Sequence, residues 1–306
     1  MRILVTGADG FLGRGLVARL PFAVHQAKRI VVTDRAFAHP VPDGIEALVG
    51  DLGDPGFLDR LLEPGFDLVF HLASVPGGLA EREQALGHGA NLLAPIALAQ
   101  RVALRRPGAR LVFASSIAVY GALGAATVTA QTPAAPQLTY GAHKLMTEIL
   151  LSDLTRRGAL SAISLRFPGI VARPATDSGH GSAFMSLLFH RIAAGEAYAC
   201  PVPASSTCWW VSRQAAVGML LHAAGLKDSA VTVVQPPVLC ATAGEVANAV
   251  ARHVGKTALV EWGEDDTLRR LFGAMPPLDT ATALATGFKA DADLDALAKA
   301  AISGES

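Results

Sequence analysis

The chain has 306 residues, 51% of them hydrophobic and 17% charged, which is material for a sizeable core and not for a disordered chain. Lys plus Arg and Asp plus Glu balance at 26 each, so charge gives no reason to expect nucleic acid or an anionic membrane as partner. Cys200, Cys208 and Cys240 are scattered without CxxC spacing and the nine histidines show no paired-ligand spacing, which argues against a disulfide framework or a metal and fits a reducing cytoplasm.

The N terminus runs straight into an apolar strand, Arg2 to Thr6, rather than a signal peptide, and no uncharged apolar run reaches transmembrane length. Gly7, Gly10 and Gly13 follow, where the strand turns into an amphipathic helix that begins with Phe11 and Leu12. Gly7 can take backbone angles closed to other residues, Gly10 has no β-carbon to hold a pyrophosphate away, and Gly13 lets the helix lie close on the strand. The helix N terminus then offers free N–H groups and partial positive charge to phosphates. A second apolar run, Arg29 to Thr33, ends in Asp34, where a carboxylate accepts hydrogen bonds from ribose hydroxyls and repels a 2′-phosphate. NAD is therefore expected over NADP, with Arg35 keeping a phosphate partner available.

Apolar runs at Ala47–Val49, Leu68–Leu72, Leu111–Ala114 and Ala162–Phe167 read as buried parallel strands. Helical patterns lie between them near Gly56–Leu62, Asn91–Arg105 and Tyr140–Arg156, with a loop at Thr127–Gln137. The alternation predicts an α/β fold, a doubly wound parallel sheet with its sites at the carboxyl ends of the strands. Pro168, Gly169, Pro174 and Asp177–Ser182 are breakers, followed by a helix at Ala183–Ala194. Cys200–Thr207 reads as loop and Cys208–Val211 as a short strand. A helix at Gln214–Gly225, a strand at Ala230–Val234 and a helix at Thr242–His253 follow, the last opening with Thr242 and Glu245 at capping-box spacing. It and the remaining helices are expected to cap the substrate side.

Tyr140 and Lys144 are one helical turn apart and emerge from the same face. A free tyrosine loses its proton only near pH 10, and an ammonium beside it favours the phenolate that a general base needs. Ser115 and Ser116 end the strand Leu111–Ala114 at the cofactor crevice, and Ser116 is the one expected to hold the substrate oxygen beside the tyrosine. Arg173 is the best carboxylate clamp, because a guanidinium pairs bidentately with a carboxylate, and Ser74, Ser182 and Trp209 are further pocket candidates.

TGADGFLG, GDLGD at Gly50–Asp54, HLAS at His71–Ser74, SSIAVYG at Ser115–Gly121 and YGAHK at Tyr140–Lys144 together resemble an extended short-chain dehydrogenase/reductase, in the NAD-dependent epimerase/dehydratase family. The resemblance implies a Rossmann domain, with Asp51 and Leu52 flanking the adenine, Ala73 and Phe167 along the cofactor, and Asn91 steadying the site. It implies that Ser116, Tyr140 and Lys144 form a catalytic triad and that a homodimer pairs through the helices near Asn91–Arg105 and Tyr140–Arg156. LRFPGIVARP at Leu165–Pro174, GEAYACPVP at Gly195–Pro203, WWVS at Trp209–Ser212, the Glu81 region and the terminal LATGFKADADLDAL are similar to the D-erythronate dehydrogenase branch, which implies oxidation of a secondary hydroxyl of a short sugar acid. Two departures stand out: Asp177–Gly181 lacks the asparagine expected after the Arg-Pro pair, and Thr207-Cys208 stands where Arg-Met is expected.

The expected organisation is a cofactor domain from 1–167 and about 211–238, with a smaller C-terminal substrate-binding lobe from about 168–210 and 239–306. The enzymatic alternative is a nucleotide-sugar 4-epimerase or dehydratase with retained NAD, and the remote one a non-catalytic NAD-binding regulatory protein.

Overall fold

The computed structural model describes residues 1–174, 182–226 and 231–303. Its strands are Arg2–Thr6 (β1), Arg29–Asp34 (β2), Glu46–Val49 (β3), Leu68–His71 (β4), Arg110–Ser116 (β5), Ser161–Phe167 (β6), Gly169–Val171 (β7), Tyr198–Cys200 (β8), Thr207–Ser212 (β9), Val233–Val234 (β10), Leu239–Thr242 (β11) and Val260–Trp262 (β12). Seven of them form the expected doubly wound sheet in the order β10-β6-β5-β4-β1-β2-β3, with every pairing parallel. The order reverses beside β1, so the crevice lies beyond the carboxyl ends of β1 and β4, which are in register at Thr6 and His71.

Alternation along each strand feeds two cores. Ile3 and Val5 point to the face covered by the helices Phe11–Ala23 and Arg213–Gly225. Leu4 points to the other face, covered by Pro55–Leu62, Ala94–Arg105 and Thr139–Arg156. Leu16 and Leu20 of the first helix are fully buried, contributing roughly 1.5–3 kcal/mol each. A third core, including Leu188, Phe189, Trp210, Val250 and Leu297, fills the space among the sheets β11-β9-β7 and β12-β8 and the helices Ala183–Ala194, Ala243–Val254 and Leu294–Ser303. The capping box is formed: Thr242 Oγ1 accepts from Glu245 N at 3.1 Å, and the Glu245 carboxylate accepts from Thr242 N at 2.8 Å.

Several expectations need correction. Ala47–Val49 is not buried: β3 is the sheet edge with only β2 beside it, and Val49 is 63% exposed. The helix expected from Asn91 starts at Ala94, because Gly89–Leu93 forms a π-helical turn; Pro95, which has no N–H, falls in the first α-turn where no donor is required. The loop around Thr127–Gln137 touches Leu278 through an isolated bridge at Val128, and both ends of the Cys200–Thr207 loop belong to strands. The breaker segment after Phe167 contains the short strand β7, paired with β9. Only Val233–Val234 of the strand expected at Ala230–Val234 is extended; Ala230, like Asp177–Gly181, lies outside the described residues.

Candidate active site

Beyond the end of β1 the backbone builds a cradle. Gly7 has φ +70°, and a Cβ there would stand 2.5 Å from the Ala73 nitrogen. A Cβ on Gly13 would stand 2.1 Å from the Gly7 oxygen, so both positions require glycine for the close approach of helix and strands. Gly10 is different: its Cβ would meet only the Gly7 oxygen, at 3.2 Å, and would otherwise project into the open crevice. Gly10 caps the helix with no side-chain hydrogen bond, leaving the N–H groups of Phe11, Leu12 and Gly13 at a bare N terminus. A cavity of about 410 Å³ opens here, lined by Gly7, Gly10, Asp34, Asp51, Leu52 and Ala73 among others. The Asp34 carboxylate is held in place by Asp9 N at 3.0 Å and Arg35 N at 2.8 Å, with lone pairs to spare for ribose hydroxyls. Shape and donor set fit a dinucleotide.

Asn91 is buried, and its amide clamps the loop after β4, accepting from Val75 N at 2.8 Å and Ser74 Oγ at 3.0 Å and donating to Val75 O at 3.1 Å. Ser74, expected against the substrate, lines the cavity beside Gly7 and Asp34 and not the neighbouring one. The Phe167 side chain is in the core at the end of β6, so only its main chain is left for a cofactor contact.

The second cavity, of about 270 Å³, brings together Ser116, Tyr140, Arg173, Ser182 and Trp209. The strand end sorts the serine pair. Ser115 is buried and donates to the Glu148 carboxylate at 2.5 Å, while Ser116 lines the cavity and accepts from Ala118 N at 3.2 Å. Tyr140 lies against Gly77, where a Cβ would come within 3.4 Å of the tyrosine Cβ. The Lys144 ammonium is 5.4 Å from the centre of the Tyr140 ring and donates to Ala114 O at 2.8 Å, which leaves two of its three donors. Burial pushes Lys144 below its usual pKa, and the neighbouring Tyr140 and Glu148 pull it back up. Trp209 presents only its ring, because its indole N–H is spent on Pro276 O at 2.8 Å. Arg173 N is anchored by Ser186 Oγ at 3.0 Å; burial lowers the guanidinium pKa, opposed by Tyr140, and among the described residues no carboxylate pairs with it.

Three features escaped the sequence reading. Glu148, one turn beyond Lys144, is 2% exposed and receives Arg166 in a bidentate pair at 2.8–3.2 Å. The spacing Lys144-x-x-x-Glu148 and an arginine inside an apolar strand were its signals; removing one partner of such a buried pair costs about 3–5 kcal/mol. The Glu81 carboxylate receives both Thr139 N and Thr139 Oγ1, capping the helix Thr139–Arg156 from another part of the chain. The far wall of the cavity comes from Leu268, Leu271, Phe272 and Met275, near the end of the chain. The helix Ala243–Val254, expected to cap the substrate side, packs instead on Ala183–Ala194 and Leu294–Ser303, and the capping element is the short helix Asp266–Phe272.

His71, at the end of β4, stacks on Phe113 and shares a 2.7 Å hydrogen bond between Nδ1 and Thr6 Oγ1, while Nε2 has no partner among the described residues. Burial, helped by the Lys144 charge, pushes its pKa from 6.5 down to about 3. The unfolded chain takes up this proton below pH ~6.5 and the folded chain does not. The stability from a neutral His71 is therefore complete above pH 6.5 and lost as pH falls towards 3, at about 1.4 kcal/mol per pH unit. Unfolding free energies from urea titrations between pH 7 and 5 should fall increasingly steeply below pH 6.5, approaching that slope, and a His71→Asn variant should show a shallower fall; parallel curves would reject the assignment.

A glycine cradle at the switch point, the Asp34 carboxylate at the end of β2, and Ser116 and Tyr140 at the adjoining cavity with Lys144 beside the tyrosine ring fit a dinucleotide-dependent oxidoreductase. The sequence profile described as the NAD dependent epimerase/dehydratase family matches residues 3–211, and the chain belongs to that family. It is 33% identical to a D-erythronate dehydrogenase of Cupriavidus necator over 98% of this chain and 97% of that one. The crystal structure of a nucleoside-diphosphate-sugar epimerase from Agrobacterium tumefaciens superposes with TM-score 0.90 at 28% identity, covering 100% of this chain and 94% of that one. MoeE5 in complex with UDP-glucuronic acid and NAD superposes with TM-score 0.79 at 25% identity, covering 99% and 98%. The protein is an NAD-dependent oxidoreductase. Among the described residues no helix is long and apolar enough to cross a membrane.

Proposed function

We propose that this protein oxidises a secondary hydroxyl of a short, D-erythronate-like sugar acid to the keto acid. The observation that carries the reading is Arg173: a guanidinium with no carboxylate partner among the described residues, in the cavity that holds Ser116 and Tyr140, where an acid's carboxylate would neutralise it. The name of the Cupriavidus necator relative supports the same substrate class.

The cofactor-holding groups are the Gly7–Gly13 loop, Asp34, Asp51, Leu52 and Ala73, with Asn91 fixing the loop that walls them. NAD, when bound, supplies the hydride acceptor. Ser116 Oγ donates to the reacting oxygen, and Tyr140 Oη accepts the hydroxyl proton as general base. Lys144, held by Ala114 O, keeps positive charge beside the phenol and offers its remaining donors to the nicotinamide ribose. Ser182 and the Trp209 ring complete the substrate contacts.

The test is NADH formation with four- to six-carbon sugar acids. Turnover is expected with at least one, and Arg173→Ala should raise its KM by about 10–100-fold with a smaller change in kcat, as loss of a charge-assisted bidentate contact predicts. Bound NAD with no turnover of any acid would reject the reading. The second reading, a nucleotide-sugar epimerase with retained NAD, is favoured by the likeness to the Agrobacterium tumefaciens epimerase. It requires a diphosphate site, and Arg173 is the one cation lining this cavity among the described residues.

The division into a cofactor domain and a substrate lobe, the cytoplasmic setting and the homodimer belong to the same proposal. Free cysteines, one of them exposed, suit a reducing compartment. Exposed Leu93, Leu104, Met146 and Ile149 all lie on the two helical segments through which pairing is expected, and sedimentation decides between one chain and two.

A further inference from the structure

We infer that Ser115 and Glu148 are positioning residues: they lace the strand end that carries Ser116 to the helix that carries Tyr140, and so fix the gap in which the reacting oxygen sits. This rests on the roles proposed above for Ser116 and Tyr140, and holds for whichever hydroxy acid the cavity takes.

The lacing is built from both sides. Ser115 and Arg166 are register partners on β5 and β6, so their side chains share one face of the sheet. Glu148 meets that face from the helix Thr139–Arg156, accepting from Ser115 Oγ at 2.5 Å and from Arg166 in the bidentate pair. One turn back along the same helix, Lys144 donates to Ala114 O at 2.8 Å. Two successive turns of the helix therefore grip two successive residues of β5, and the next residue is Ser116. The far side of Ser116 is held too. The turn Ile117–Tyr120 follows it, and the Arg166 guanidinium lies 4.9 Å from the centre of the Tyr120 ring. Gly141, next to Tyr140, packs on the same turn, since a Cβ there would stand 2.2 Å from Ala118 O.

Stability is a weak reason for this arrangement. Ser115 and Glu148 are both buried, and an ion pair at that depth returns little more free energy than apolar side chains of the same volume would. What it supplies is geometry. Charge-assisted hydrogen bonds of fixed length and direction hold the strand end in one place, where apolar packing would tolerate sliding. A reacting group displaced by about 1 Å can cost a hundredfold in rate, so a rung one residue from Ser116 bears directly on turnover. Burial works against the Lys144 ammonium, and Tyr140 and Glu148 work for it, so the same carboxylate supports the charge beside the phenol.

The test is Ser115→Ala, which removes one hydrogen bond and leaves Glu148 paired with Arg166, so no buried charge is orphaned. With the acid that gives the fastest NADH formation, kcat should fall about tenfold, while the KM for NAD and the melting temperature stay near those of the parent. Ser115→Thr, which keeps the hydroxyl, should recover most of the loss. In a Ser116→Ala background the Ser115→Ala change should cost less than about twofold, because groups that act as one unit are not additive. Parental kcat in Ser115→Ala would overturn the inference and leave the roles of Ser116 and Tyr140 standing, as would an equal loss in both backgrounds or a loss that tracks the melting temperature. Undiminished turnover by Ser116→Ala alone would remove the role proposed for Ser116, and the inference with it.

Discussion

Tyr140→Phe should lower kcat by about 10²–10⁴-fold, the range for losing a positioned general base, while the Kd for NAD and the melting temperature stay close to those of the parent. The substitution removes one oxygen and keeps the ring that lies against Gly77 and beneath the Lys144 ammonium, so packing is retained and only the proton acceptor goes. Single-turnover NADH formation with the best acid measures it. Undiminished turnover would move the proton to another group, and an unchanged biological effect of the inactive variant would revive a non-catalytic role for the bound NAD.

The glycines of the first loop should separate into two kinds. Gly10→Ala should leave the fold within about 1 kcal/mol of the parent, because its Cβ meets a single atom at 3.2 Å, yet weaken NAD by about a hundredfold, because the methyl occupies the approach of the pyrophosphate. Gly13→Ala should act on folding instead, costing about 3 kcal/mol or more, since its Cβ falls 2.1 Å from the Gly7 oxygen and 2.8 Å from the Ala8 oxygen. Urea denaturation and calorimetric NAD titration on both variants distinguish the cases. Parental NAD affinity in Gly10→Ala would mean that the pyrophosphate lies elsewhere.

Much of this is legible in the sequence. The strand-glycine-helix opening, the acidic residue ending the second strand and the Tyr140–Lys144 spacing are local patterns, and each maps onto the element it predicts. The capping box at Thr242 and Glu245 is likewise a matter of four consecutive residues. Reading failed where burial depends on what lies alongside. Val49 is as apolar as Val69, but one ends an edge strand and the other sits in a central one. Ser115 and Ser116 are chemically the same, and the pleat of β5 sends one to Glu148 and the other to the cavity.

The sequence by itself determined the sheet and the cofactor, because these depend on periodicity and short spacings that survive without tertiary context. Only the tertiary structure decided the character of the cavity at Ser116 and Tyr140. Its groups come from positions as far apart as Glu81, Ser116, Arg173 and Met275, and whether each remains free depends on partners equally distant along the chain. Thr139 occupies Glu81, Pro276 occupies Trp209 and Met275 occupies Thr207, while the Arg173 guanidinium is left without a carboxylate among the described residues. Hydrogen-bond satisfaction in a buried site is a property of the folded neighbourhood, and no local pattern encodes it.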